Sequence, residues 1–153
     1  MRPTEPLPLN HSWPLFERGR RLDLGLVFDW APAQQDAARQ FSFEYGEFAE
    51  LGIGRWECDL ADNSLTWSNA VYDLFGLPRG ASVLRRDAVE LYAHDSAVAM
   101  DRLRTYAIRH RRGFTLDAEL RPATGKPRWM RLIAAPVYDG GEVVRLQGLK
   151  VPI

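Results

Sequence analysis

Between Gly52 and Pro78 the chain switches from a two-residue to a helical period and back to turn chemistry, an order that few folds accept. From Ile53 to Ala61, Gly54, Trp56, Cys58 and Leu60 alternate with Arg55, Glu57 and Asp59, the pattern of a strand with one apolar face. Asp62-Asn63-Ser64 supplies a tight polar turn, and Leu65-Thr66-Trp67 returns as a short second strand. Ser68 or Asn69 can then cap a short helix from Ala70 to Phe75. Gly76 tolerates the left-handed backbone that closes a helix, and Pro78 cannot continue one.

The elements on either side extend this pattern. After residue 86, residues 87–92 suggest another short helix, and Asp95 or Ser96 opens a longer one that ends near Arg112-Gly113. Its apolar stripe is read as Ala99, Leu103, Tyr106, Ala107 and His110. Phe114 to Arg121 alternates as a strand, Thr124-Gly125-Lys126 turns, and Arg128 to Tyr138 is a long apolar strand. Asp139-Gly140-Gly141 is a hairpin turn leading into a last strand from Glu142 to Val151. Two strands, several helices and three hairpin-linked strands make an α+β fold, a five-stranded antiparallel sheet with short helices on one face.

Before residue 51 the pattern is different. Residues 1–18 carry Pro3, Pro6, Pro8 and Pro14 and read as an extended arm, although Trp13 and Phe16 imply that part of it docks. Leu22, Leu24, Leu26, Phe28 and Trp30 alternate as a half-buried strand or an extended strip, ended by Pro32. From Ala33 to about Glu50, Phe41, Tyr45 and Phe48 form one face of an amphipathic helix stopped near Gly52. The chain therefore divides into an N-terminal extension, residues 1–50, and a compact domain, residues 51–153.

Composition narrows the function. The 153 residues balance 20 basic against 20 acidic side chains, which argues against general binding to nucleic acid or to an anionic membrane. One cysteine, Cys58, allows no internal disulfide, and the prolines and Glu5 of the N-terminus do not make a secretory signal. With no run of about twenty apolar residues, the expectation is a cytoplasmic protein without a membrane span.

The order of elements and five local signatures resemble a PAS domain, the α+β sensor module of bacterial signalling proteins. Gly52-Ile53-Gly54-Arg55-Trp56-Glu57 and Trp67-Ser68 are similar to the opening of one PAS subclass. Phe114 with Arg121, then Thr124-Gly125-Lys126-Pro127-Arg128-Trp129, resembles its third strand, turn and next strand entry. Pro136-Val137-Tyr138-Asp139-Gly140-Gly141 and Gln147-Gly148 resemble its last hairpin. Three departures stand out. His94-Asp95-Ser96 lacks the proline usual before the long helix, and Ala118-Glu119 replaces an aromatic-Arg pair. Val151-Pro152-Ile153 replaces the Asp-Ile-Thr exit toward an effector, so the resemblance implies a stand-alone PAS protein with no covalent output domain.

Candidate chemistry is sparse. No phosphate loop, nucleophile elbow or metal-spaced Cys/His cluster is present, so neither an enzyme nor a metal site is expected. His110 raises haem, which some PAS domains bind through a helical histidine, but beside Arg109, Arg111 and Arg112 it reads as a helix-end residue. His94 fits the family's structural histidine. Cys58 raises flavin; the photosensing relatives carry their cysteine in an Asn-Cys-Arg-Phe motif absent here, so Cys58 reads as a small buried hydrophobe. Haem and flavin are thus not expected. Within the basic run Arg102, Arg104, Arg109, Arg111 and Arg112, the residues Arg102, Arg109 and Arg112 read as the solvated side of the helix, with no nucleic-acid partner.

The candidate pocket lining is Trp56, Cys58, Phe75, Phe114, Leu116, Ala118, Met130, Leu132 and Leu146. These side chains either fill their own core or leave room for a small-molecule ligand. The candidate interaction face is Leu26, Phe28, Trp30, Phe41, Tyr45 and Phe48, which either folds back over its own sheet or pairs across a two-fold axis. The functional expectation is a regulatory module acting by association, as a homodimer or with a separate signalling protein. The alternative is a small-molecule sensor whose ligand shifts that association, and a third reading is a small enzyme using the same cavity.

Overall fold

A computed structural model describes residues 11–12, 20–23, 26–29 and 49–153. The strands are β1 (His11–Ser12), β2 (Arg20–Asp23), β3 (Leu26–Asp29), β4 (Gly54–Asp59), β5 (Leu65–Trp67), β6 (Phe114–Leu120), β7 (Arg128–Asp139) and β8 (Glu142–Pro152). The helices are α1 (Asn69–Phe75), α2 (Arg85–Glu90) and α3 (His94–His110). Strands β4 to β8 form the five-stranded antiparallel sheet in the order β6-β7-β8-β4-β5, and β1 adds a two-residue edge beside β6.

Period-two alternation decides which side chains meet. Trp56 and Cys58 on β4 face Leu146 and Gly148 on β8, and Ala134 and Leu132 on β7 continue the same face toward Phe114 and Leu116 on β6. Onto this face pack Val71, Leu74 and Phe75 of α1, Met100 and Ala107 of α3, and Tyr92 between α2 and α3. Ile133, Ala135, Val137, Leu149 and Val151 alternate to the opposite face and are also buried. The central strands are thus apolar on both sides, which accounts for the long apolar run read in β7.

Two helix ends show how local chemistry sets the layout. Gly76 takes φ 67°, and the Leu77 N–H reaches the Tyr72 carbonyl, which turns the chain sharply away from α1. α3 ends in the same way at Arg111, φ 55°, with the Arg112 N–H on the Ala107 carbonyl. The stop expected near Arg112-Gly113 thus falls at Arg111, on a non-glycine residue.

α3 faces the sheet with part of the expected stripe: Ala99, Leu103 and Ala107 pack against the core, and Tyr106 and His110 do not. Its buried residues are Ser96, Met100 and Ala107, with Leu103 and Ile108 partly packed, while Tyr106 and His110 face solvent. The reason is a polar tie at the helix start. Ser96 does not cap α3; its buried hydroxyl accepts the Glu119 N–H of β6 at 2.9 Å and so fixes which side of the helix faces inward.

The strip read over residues 22–30 is two strands, not one. Asp23 pairs with Leu26 and Arg20 with Asp29. The alternation persists through both strands, so period alone could not separate them; Gly25 was the available sign of a hairpin. Leu26 and Phe28 belong to β3. Trp13, Phe16, Trp30, Phe41, Tyr45 and Phe48 lie outside the described residues, as does the helix expected over residues 33–50 apart from its last two positions.

Gly148 permits the closest approach in the sheet. A Cβ there would lie 1.9 Å from the Ile133 carbonyl oxygen and 2.8 Å from its carbon. The same oxygen accepts the indole N–H of Trp56 at 3.2 Å, from two strands away. The missing side chain thus leaves the carbonyl within reach of the tryptophan. Gly148→Ala is expected to lower stability by about 1–3 kcal/mol, as forced overpacking does. Urea unfolding should give a lower midpoint at unchanged slope; an unshifted midpoint would contradict this packing.

Candidate functional site

The inner sheet face and the helices leave a cavity of about 60 Å³, large enough for several water-sized groups. Its sheet wall is Trp56 and Cys58 of β4, Leu65 and Trp67 of β5, Phe114 of β6, Leu132 of β7, and Leu146 and Lys150 of β8. Its helical wall is Phe75 of α1, Arg85, Ala88 and Val89 of α2, Tyr92, and Met100 and Arg104 of α3. Trp67 stacks on Phe75 at 4.8 Å, and the Tyr92 ring lies 5.8 Å from Phe75, which makes a continuous aromatic side.

Lys150 is the unusual member. Leu146, Gly148 and Lys150 share a face by alternation, so the strand that supplies an apolar wall also carries an ammonium group inward. The side chain is buried, 6% exposed, and its amine donates a 2.8 Å hydrogen bond to the Tyr92 hydroxyl. The amine also stands 5.3 Å from the Trp56 ring centre, 4.9 Å from Phe75 and 5.4 Å from Tyr92. Aromatic faces attract a cation and offset part of its lost hydration.

Two guanidinium groups stand at the same cavity. Arg85 donates to Asp101 at 3.0 Å, and Arg104 donates to the side-chain carbonyl of Asn63 in the β4–β5 turn at 3.0 Å. The lining contains no aspartate or glutamate.

A family model described as the PAS fold matches residues 51–149. The chain belongs to the PAS family. Among curated protein sequences none matches it significantly. Solved PAS structures agree with its fold. The N-terminal domain of a diguanylate cyclase with a PAS/PAC sensor from Marinobacter aquaeolei superposes with a TM-score of 0.60 at 17% identity, over 65% of this chain and 94% of that one. A sensory box histidine kinase/response regulator from Burkholderia thailandensis gives 0.58 at 15% identity, over 74% and 84%. An RNA-binding light-oxygen-voltage receptor gives 0.58 at 13% identity over 65% of this chain, which spans 29% of that receptor. At these identities the likeness is one of fold. The solved PAS structures that share this fold include parts of sensory and signalling proteins.

Of the PAS pocket residues expected from sequence, Trp56, Cys58, Phe75, Phe114, Leu132 and Leu146 line the cavity. Leu116, Ala118 and Met130 lie in the adjoining core, further along β6 and β7, and do not line it. His94 and His110 are exposed and stand apart from the cavity; the His110 ring packs 4.4 Å from Tyr106. Of the basic run, Arg102 and Arg109 are exposed as expected and Arg112 is partly buried, while Arg111 is exposed and Arg104 is partly buried at the cavity.

Sequence reasoning missed Lys150, Tyr92 and Arg85 altogether. The signal for Lys150 was its register with Leu146 and Gly148. For Arg104 it was the four-residue spacing from Met100, itself four residues after Ser96.

Burial dominates the electrostatics. It pushes the Lys150 amine from its ordinary 10.5 down to about 7, and the Arg85 charge pushes the same way. Burial raises the Tyr92 phenol, and it raises the Cys58 thiol despite Arg104 and Arg85 nearby. Cys58 is therefore not a thiolate nucleophile at neutral pH.

These shifts give stability a signed pH dependence. Between about pH 7 and 8.5 the unfolded chain keeps the lysine proton that the folded chain has released, so stability rises with pH. Above the ordinary cysteine value of 9.0 the folded Cys58 thiol holds its proton longer and offsets the lysine, and above the ordinary tyrosine value of 10.0 Tyr92 does the same, so the rise first flattens and then reverses. Denaturant unfolding at pH 7, 7.75 and 8.5 is expected to show a rise of up to about 1 kcal/mol per pH unit. Lys150→Met is expected to flatten it, and a wild-type profile without the rise would contradict a displaced lysine.

Proposed function

We propose that this PAS domain is a regulatory sensor whose cavity binds a small molecule and passes its occupancy to a partner by association. The observation that carries this reading is Lys150. An amine held among three aromatic rings in an apolar core lowers stability while it is charged, so a role at the cavity explains it better than packing does. A ligand can shift an association equilibrium only through a difference in affinity between the two states.

The lining does not suit the larger cofactors known from the fold. Light-oxygen-voltage receptors bring flavin to mind, but here Cys58 lies on β4 within the sheet wall, Lys150 projects inward, and the free volume is about 60 Å³, against roughly 300–1,000 Å³ for pockets that take drug-sized ligands. For haem, neither His94 nor His110 faces the cavity. Cys58 and Lys150 share the lining, but burial keeps the thiol protonated, which favours sensing over catalysis.

The partner would be a second copy of the chain or a separate signalling protein; Ile133, Ala135, Val137, Leu149 and Val151 of the second sheet face are already buried within the single chain.

A ligand present at a hundredfold excess over its Kd is expected to stabilise the fold by about 2.7 kcal/mol. That is a rise in Tm of roughly 5–10 °C for a chain of this size. Thermal unfolding against a panel of small acids, amides and amines checks this, and an unmoved Tm across the panel would sink the sensor reading. Native mass spectrometry of the whole chain is expected to show a dimer; a monomer at all concentrations would restrict association to a different protein.

A further inference from the structure

The charges around the cavity do not balance. Arg85 from α2, Arg104 from α3 and Lys150 from β8 bring three cationic side chains to one small space. Among the described residues, the carboxylate hydrogen-bonded to any of them is Asp101, on Arg85, and its side chain is 59% exposed outside the lining. Arg104 and Lys150 are bonded to neutral oxygens, the amide of Asn63 and the hydroxyl of Tyr92. Like charges in a poorly hydrated space raise one another's energy, and a counter-ion placed among them relieves it. The remaining walls are aromatic and aliphatic, so a fully hydrated ion matches only part of the site.

We propose that the cavity takes a small monocarboxylate, its carboxylate among Arg85, Arg104 and Lys150 and its apolar body against Trp67, Phe75 and Leu132. This rests on the cavity being a ligand site. The volume of about 60 Å³ corresponds to roughly four to six water-sized spheres, which sets the size at a short-chain acid. A planar carboxylate accepts paired hydrogen bonds from a guanidinium, and an ammonium adds a point charge. The Asn63 contact holds Arg104 from the far side, so its guanidinium is positioned before a ligand arrives.

Calorimetric titration of the whole chain at fixed ionic strength tests this with butyrate, butyramide and inorganic phosphate. Butyrate is expected to bind at least tenfold more tightly than butyramide, which has the same shape without the charge. Arg104→Gln and Lys150→Met are each expected to weaken butyrate at least tenfold. Arg104 is only partly buried, so its variant keeps the test meaningful if the lysine variant unfolds. Butyramide binding as tightly as butyrate would overturn the inference while leaving a ligand cavity in place. Phosphate binding as tightly as butyrate would overturn it too, by reducing the site to a bare anion hole. If none of the three binds, the inference fails; the sensor reading then fails only if the wider thermal panel is also silent.

Discussion

The pairing of β8 with β4 is the contact on which the rest of the domain depends. It joins the two ends of the PAS sequence, Gly54 to Lys150 and Asp59 to Arg145, and places β8 between the early hairpin and the late one. Without it the apolar faces of β4–β5 and β6–β7 are separate and neither can enclose a core. The register has a second anchor in the Trp56 indole, which crosses Gly148 to reach the Ile133 carbonyl. Since a one-residue slip turns every side chain to the other face, this register also determines that Lys150 points inward.

Much of the fold was legible because its signals are local. The strand alternation of Gly54 to Leu60, the turn at Asp62-Asn63-Ser64, and the Gly76 and Gly140-Gly141 stops each declare themselves within a few residues. The orientation of α3 did not, because a long-range bond from the Ser96 hydroxyl to β6 sets it and no spacing within the helix reveals that bond. The strip at residues 22–30 misled for the opposite reason: a hairpin and a continuous strand keep the same alternation.

The cavity was half legible, and the division follows chemistry. Apolar residues on strand faces could be assigned inward by period, so Trp56, Cys58, Phe75, Phe114, Leu132 and Leu146 were found. Charged residues are ordinarily assigned to solvent, so Lys150, Arg85 and Arg104 were passed over as cavity residues. The residues that break the usual rule are the ones that distinguish this cavity, in keeping with the expectation that local rules fail where function intervenes.

Lys150 sits between Leu149 and Val151, which face the other side of the sheet. Consecutive residues of one strand thus touch the helix-side cavity and the opposite apolar surface, with no intervening layer. The sheet works here as a membrane-thin partition rather than as a wall. The cavity and the packed face behind the sheet are thus one residue apart along β8.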